Sequence, residues 1–202
     1  MIRIATWNVE WFTHLFDHND RPLLDDQPSR RYRVNRRDQA QAIADVLRRV
    51  DPDLLIVVEA PNEGSHQSTR RALQNFARHF KLRQSAALIG FPNGTEQEIA
   101  ALYDPDRLRI AHDPRGGDGD GPVAPRFDSR FRMDVDTDGQ SDIHDFNKPP
   151  LELEVTVAES GARLRLIGVH AKSKNSNGAR NAREEAAISI DNRRTHLAQC
   201  IW

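Results

Sequence analysis

Apolar and polar residues recur along the chain with two different periods, and the change of period marks the predicted elements. Apolar residues spaced three to four positions apart predict helices over 36–50 and 67–80. A third helix is predicted over 179–202, with four apolar residues on one side: Ala186, Ile190, Leu197 and Ile201. Alternating or wholly apolar runs predict strands at 2–9, 54–58, 85–89, 99–103, 108–111, 151–157 and 163–170.

The order of these elements predicts an α/β fold with one insertion. Segment 113–147 is rich in glycine and aspartate and has too few apolar residues for its own core, so it is predicted to be an acidic loop inserted into a single domain, 1–202. Ser160-Gly161 joins two strand-like runs, which predicts a hairpin. The last helix has no terminating residue before Ile201 and Trp202, which favours a domain truncated at its carboxyl end over a helix that docks its own end.

Composition excludes several classes of protein. The 202 residues carry 29 Lys+Arg and 30 Asp+Glu, a net charge of −1, which speaks against a basic coat for non-specific nucleic-acid binding. The one cysteine, Cys200, excludes an internal disulfide and a cysteine-rich zinc site. No apolar run is long enough to span a membrane, and no signal-peptide pattern is present, so we expect a cytoplasmic protein of undetermined oligomeric state.

Polar side chains follow three apolar strands at the point where each strand ends. The first strand ends at Asn8 and Glu10, the second at Glu59, and the hairpin strand at His170. If these strands lie side by side, their ends meet at one edge of a sheet, where open sheets commonly bind ligands. Carboxylate and amide oxygens suit Mg²⁺ or Mn²⁺, and a nearby histidine would stabilise charge on a phosphoryl group. Each residue alone is also typical of a solvated strand end.

Five short passages follow one another in an order that points to a known family. They are Ala-Thr-Trp-Asn-Val-Glu at 5–10, Asp-Leu-Leu-Ile-Val-Val-Glu at 53–59, Ala-Leu-Tyr-Asp-Pro-Asp-Arg-Leu at 101–108, Lys-Pro-Pro-Leu at 148–151 and Gly-Val-His-Ala-Lys-Ser-Lys at 168–174. Together they resemble motifs of the endonuclease/exonuclease/phosphatase superfamily, which includes pancreatic-type deoxyribonucleases, apurinic endonucleases, inositol-polyphosphate phosphatases and neutral sphingomyelinases. The resemblance spans most of the chain outside its two long loops.

The resemblance implies a metal-dependent phosphodiester hydrolase, with a nuclease favoured, on a two-sheet sandwich flanked by helices (four-layer α/β/β/α). It implies that Glu59 is the main metal carboxylate and that Glu10 helps to hold the metal. It further implies that Asn8, a third candidate ligand, orients the phosphate and the nucleophile, and that His170 contacts the scissile phosphate. The implied cofactor is Mg²⁺ or Mn²⁺, and the implied partner is a phosphate-bearing substrate, with DNA favoured.

Basic and polar residues outside these positions are candidate contacts to flanking phosphates. They are Lys148, Lys172, Lys174 and Asn175. For the lysines after His170, a solvated loop is an equal interpretation. Five arginines between 30 and 37 form the densest basic run; they could bind a polyanion or pair with Asp25 and Asp26.

The superfamily's second half supplies an Asp-x-Asn element that activates water and a late Asp-His pair, and neither has a match after His170. Asp191-Asn192 lies inside the predicted helix, and the residue directly before His196 is not an aspartate. We therefore expect either a fragment of a longer enzyme or a relative that binds without cutting, with little catalysis by this chain. A module that binds a phosphate ligand or a partner chain stays open, as does a phosphatase or lipid phosphodiesterase acting on a small head group.

The acidic insertion contains the spacing of a calcium loop. Its candidate ligands are Asp134, Asp136, Asp138, Asp142 and Asp145, with Gly139 at the sixth position. The twelfth position is aspartate where glutamate is usual, the eighth is serine, and no flanking helix pair is predicted. A structural Ca²⁺ that orders the loop is one interpretation, and a flexible acidic insertion is the other.

Overall fold

The computed structural model describes residues 1–95, 97–117, 126–173 and 179–201, in which the chain forms three small sheets and three α-helices. This mixed α/β composition confirms the predicted class. Contacts divide the chain into two units, Met1–Asp113 with Pro150–Val169, and Pro114–Pro149 with His170–Trp202. The prediction of a single domain with an insertion at 113–147 stays a prediction.

Two helices of the first unit form where the apolar period predicts them. Helix α1, Arg36–Val50, begins after Asn35, whose side chain accepts the Asp38 N–H at 2.7 Å. It ends at Asp51, which has a left-handed φ of 46°. Helix α2, Thr69–His79, begins after Ser68 and buries Leu73 and Phe76. A short 3₁₀ turn, Phe12–Leu15, adds two further buried apolar residues.

Seven strands of the first unit form two sheets. The first sheet has the order β1-β2-β4-β3, with β1 Ile4–Asn8, β2 Leu54–Ala60, β3 Ala86–Ile89 and β4 Glu98–Tyr103; β1 and β2 are parallel. The second has the antiparallel order β5-β8-β9, with β5 Leu108–His112, β8 Leu151–Val157 and β9 Arg163–Gly168. The predicted hairpin is confirmed. The expectation that all three polar-ended strands lie side by side is wrong, because β9 pairs with its chain neighbour β8.

Strands β2 and β4 are buried on both faces. Leu55 and Val57 of β2 belong to a core cluster with the apolar residues of α1 and α2. Leu54 and Ile56 point the other way and belong to a second cluster with apolar residues of β5 and β8. Burial on both faces explains why 54–58 is a continuous apolar run and not an alternating one.

The end of β9 approaches β2 closely enough to require glycine. A Cβ added at Gly168 would lie 2.8 Å from Ile56 Cγ2 and 3.4 Å from Ile99 Cγ2. We therefore expect Gly168→Ala to lower the free energy of unfolding by about 1–3 kcal/mol in urea denaturation. Gly94→Ala is the control, because no atom lies within 4 Å of the Cβ it would add. Equal stability of the two variants would contradict this close approach.

One guanidinium connects the end of α1, the start of β2 and the end of β4. Arg83 donates hydrogen bonds to Asp51 at 2.5 Å, to Asp53 at 2.9 Å and to Asp104 at 2.6 Å. Asp53 also accepts the Arg3 backbone N–H at 2.7 Å. This pairs two buried carboxylates with a cation, because the Asp53 and Asp104 side chains are only 6% and 9% exposed.

This network makes the stability of the fold sensitive to acid. Burial raises the pKa of Asp53, but the Arg3 N–H and the Arg83 guanidinium outweigh burial and hold that pKa below the ordinary value for an aspartate. The unfolded chain therefore binds a proton more readily, so the contribution of Asp53 is present above about pH 4 and is lost as pH falls through its folded pKa. Urea unfolding at pH 5 and pH 3 should show a larger loss of stability for the wild type than for Asp53→Asn; equal losses would contradict the assignment.

The second unit contains regular structure inside the segment predicted to be a loop. Strands β6, Phe131–Met133, and β7, Asp142–His144, form an antiparallel hairpin. Phe131, Phe146 and Ala198 make a small core, so a few aromatic residues suffice for local order in this acidic segment. Nothing in the alternation of the sequence here predicted these three-residue strands.

The last helix, α3, forms at Ala182–Ile201 but does not bury its predicted apolar side. All four residues of that side are exposed, whereas Asn192, Ala198 and Gln199 are buried. Gln199 donates to the Asp145 carbonyl at 2.8 Å and accepts the Lys172 N–H at 2.6 Å, so polar contacts determine which side of α3 is covered. Within the described ranges, no helix combines the length and apolar content that a membrane crossing requires.

Candidate functional site

Parallel pairing brings the polar ends of β1 and β2 together. Asn8 is in register with Val58, so the residue after Val58 lies next to the end of β1. Asn8 Nδ2 donates to Glu59 Oε1 at 3.2 Å, and Gln97 Nε2 donates to Glu59 Oε2 at 3.2 Å. The Glu59 carboxylate is therefore held between two side-chain amides at one edge of the first sheet.

Glu59 has a backbone conformation that glutamate seldom adopts. Its φ is 59°, and the pairing of β2 with β4 shifts register between Val58 and Ala60. A left-handed non-glycine residue costs about 1–3 kcal/mol and persists where the surrounding structure enforces it. The bulge interrupts β2 at Glu59, and its side chain is held at the sheet edge by the two amides. Such strained residues are concentrated at functional sites.

The strand beside Glu59 contributes residues that the sequence analysis missed. Gln97 holds the second oxygen of Glu59, and Glu98, the first residue of β4, is completely buried. Asn93 donates to Glu98 Oε2 from its side chain at 2.7 Å. An acid placed directly before an apolar run was the available signal, whereas Glu59 was singled out because it follows one. The predicted strand began at 99 and left Glu98 outside it.

Glu10 lies near Asn8 in the chain but has a different partner. Its carboxylate pairs with Arg31 at 3.4 Å, and both side chains are about half exposed. Asn8, Glu10 and Arg31 line a cavity of about 280 Å³ together with Val34 and residues of α1. Glu10 therefore lies at the same cavity as Asn8 and against a basic side chain.

His170 belongs to the second unit, where it meets one of the predicted phosphate contacts. Lys148 Nζ lies 3.2 Å from His170 Nδ1. The Lys148 ammonium group and the His170 ring therefore lie side by side in the second unit, as two basic side chains that one phosphate could contact together.

The other candidate phosphate contacts are fixed to different degrees. The Lys172 carbonyl lies 2.6 Å from His196 Nδ1, and its N–H is bound by Gln199, so its backbone is held against α3. Lys174 and Asn175 lie outside the described residues.

Three of the five candidate calcium ligands come together. Asp134, Asp136 and Asp138 offer oxygens that lie within 4.8 Å of one another. Among the described residues, neither Asp142, the first residue of β7, nor Asp145, just after that strand, joins this group.

The surroundings of this triad differ from those of a calcium hand. The loop connects two strands and not two helices, because β6 and β7 pair across it. Arg194 also forms an ion pair with Asp136 and supplies a cation to the group. The triad is thus an acidic hairpin turn that already has a positive partner.

Comparison with known proteins gives similarity at the level of structure. No protein-family model and no curated protein matches the chain. The structure is similar to a humanized TDP2 of D. rerio with 14 mutations (TM-score 0.34, 15% identity, 94% of this chain and 53% of that one). It is also similar to a truncated TDP2 of Caenorhabditis elegans (TM-score 0.33, 15% identity, 79% and 49%). This chain spans about half the length of both structures.

Proposed function

We propose that this chain carries the metal- and phosphate-binding half of a phosphodiester hydrolase site, with nucleic acid as the favoured substrate and a two-sheet sandwich flanked by helices as its scaffold. The observation that carries the proposal is the geometry of Glu59. Its backbone is left-handed, and its carboxylate lies between the Asn8 and Gln97 amides. A purely structural strand end needs neither the strain nor the two amides.

The donors at this edge fit Mg²⁺ or Mn²⁺. Magnesium sites in enzymes commonly use one or two carboxylates, with water and substrate phosphate completing the shell. Glu59 supplies a carboxylate, Asn8 supplies an amide oxygen, and Glu10 is a second carboxylate beside the same strand end. Neither sulfur nor imidazole is present among these donors, which favours a hard cation over zinc or copper.

Each residue has a defined part in the proposal. A metal ion held at Glu59 would polarise a phosphoryl oxygen and stabilise the leaving oxyanion. Asn8 orients the carboxylate and the incoming phosphate through its amide, and Gln97 keeps the second carboxylate oxygen in place. In the second unit, His170 is proposed to bind a substrate phosphate together with Lys148 and Lys172. His170→Gln should therefore weaken phosphate binding.

A non-catalytic module of the same kind is the second candidate. It differs from the first candidate in one element, an aspartate that activates water, for which residues 171–202 offer no Asp-x-Asn match. Without the water-activating aspartate, metal and phosphate binding would remain while turnover would be very slow. The two candidates therefore share a binding site and differ in turnover.

The test measures both properties in one preparation. Mn²⁺ is titrated into the chain by calorimetry, and hydrolysis of bis(p-nitrophenyl) phosphate is followed with Mg²⁺, with Mn²⁺ and with EDTA. Metal binding without hydrolysis supports the half-site. Metal-dependent hydrolysis removed by EDTA would show that the chain has its own general base. Absence of metal binding would overturn the proposal.

A further inference from the structure

A loop whose tip carries two arginines with left-handed backbones and an exposed tyrosine lies between β1 and α1. Residues 29–34, here named the arginine loop, are closed at the base by Ser29, whose N–H and hydroxyl both bond to the Val34 carbonyl at 3.0 Å. Ser29 is completely buried, and Pro28 bridges to Asn35 just outside the loop. The base is therefore fixed, and the four residues between Ser29 and Val34 are presented to solvent.

The tip of the arginine loop combines strain, positive charge and an exposed ring. Arg30 and Arg33 have left-handed φ values of 73° and 56°, although neither is glycine. In the part of the chain that the structure describes, no carboxylate pairs with either arginine. Tyr32 is 82% exposed, and the Arg33 guanidinium lies 4.9 Å from the centre of its ring. The exposed ring is therefore available to stack on a planar group from outside the chain.

The arginine loop is next to the candidate site. Arg31 and Val34 line the cavity that also contains Asn8 and Glu10, and Arg31 pairs with Glu10. A chain bound with one phosphate at the end of β1 would place its neighbouring nucleotides within reach of the loop tip. Because the protein as a whole has a net charge of −1, this attraction is local and not a general basic coat.

We propose that the arginine loop binds single-stranded nucleic acid, with Tyr32 stacking on an unpaired base and Arg30 and Arg33 binding the phosphates on either side. The inference rests on the proposed function for its position and deepens it by naming the substrate class. Arg33 covers part of one face of Tyr32, which leaves the other face for a base. Paired bases inside a duplex are already stacked, so an exposed ring favours single strands or frayed ends.

The experiment separates stacking from charge. Binding to a labelled fifteen-nucleotide oligothymidine and to an abasic strand with the same number of phosphates is measured by fluorescence anisotropy in EDTA. The wild type should prefer the thymidine strand about tenfold to hundredfold, the range expected for one aromatic–base stack. Tyr32→Ala should abolish that preference, and Tyr32→Phe should keep it, because stacking needs the ring and not the hydroxyl.

The arginines should act on both strands alike. Arg30→Ala with Arg33→Ala should weaken both complexes and lower the slope of log affinity against log salt by about 1.4, since a phosphate contact to a single strand contributes about 0.7. The matched control is Arg49→Ala with Arg70→Ala, two exposed arginines on helices α1 and α2. The control should leave affinity and slope unchanged.

Two results would overturn the inference. Equal wild-type affinity for the thymidine and abasic strands would show that no base is stacked. Tighter binding of a blunt duplex or of an acidic peptide than of the thymidine strand would assign the loop to another partner. Because the assay contains no free metal, the strand preference does not depend on metal binding. Failure of metal binding at Glu59 would overturn the proposed function without affecting the measured strand preference.

Discussion

Glu59→Gln is expected to weaken Mn²⁺ binding by at least about a hundredfold while leaving the fold intact. The substitution keeps the size of the side chain and one oxygen that can accept from Asn8 or Gln97, but it removes the negative charge and replaces the other oxygen with an NH₂ group. Loss of residues that merely orient a metal ligand costs about tenfold to hundredfold, so loss of the main carboxylate should reach at least the upper end. Calorimetric titration of the wild type and the variant under the same conditions measures the difference.

The matched control for this experiment is Glu159→Gln, which removes one negative charge from the exposed turn between β8 and β9. Its Mn²⁺ affinity should equal that of the wild type. The circular dichroism and urea midpoints of all three proteins should agree, which would exclude unfolding as the cause. Wild-type affinity in Glu59→Gln would contradict the assignment of Glu59 as metal carboxylate.

Arg83→Ala should destabilise the first unit by about 2–4 kcal/mol in urea denaturation, which is more than substitution of a fully exposed charged residue would cost. The variant leaves Asp53 and Asp104, 6% and 9% exposed, without their guanidinium. Removing one partner of a buried ion pair costs about 3–5 kcal/mol, and we lower the range because the Arg83 side chain is itself 33% exposed.

Two further variants make the Arg83 prediction specific. Arg83→Lys should lose part of this stability, because one ammonium cannot reproduce the planar fork that serves three carboxylates. Arg49→Ala, at an exposed position on α1, should change stability by less than about 0.5 kcal/mol. Equal stability of Arg83→Ala and Arg49→Ala would mean that the network is solvated and contributes nothing.

The sequence predicted the part of the site that follows from strand ends. Asn8 and Glu59 each stand directly after an apolar run, and parallel pairing of β1 with β2 suffices to bring them together. Helix α1 was predicted at its observed bounds because its apolar period is a local signal. These features depend on neighbours in the chain or on one pairing, which a sequence pattern can encode.

The remaining features depend on contacts that no local pattern records. Gln97, which directly precedes β4, reaches Glu59 only because β4 pairs antiparallel with β2. Arg83 meets three aspartates that are separated from it by 21 to 32 residues. The apolar side of α3 misled the prediction because polar contacts of Gln199, and not apolar burial, hold that helix.

The most direct test of the central claim locates the metal without relying on turnover. Mn²⁺ is added in substoichiometric amounts to isotope-labelled protein, and the broadening of each NMR signal is recorded. If Mn²⁺ binds at Glu59, the NMR signals of the Asn8 and Gln97 side-chain amides and of the Val9 N–H should broaden first. Broadening confined to Asp134, Asp136 and Asp138, or spread evenly over the surface, would contradict a metal site at Glu59.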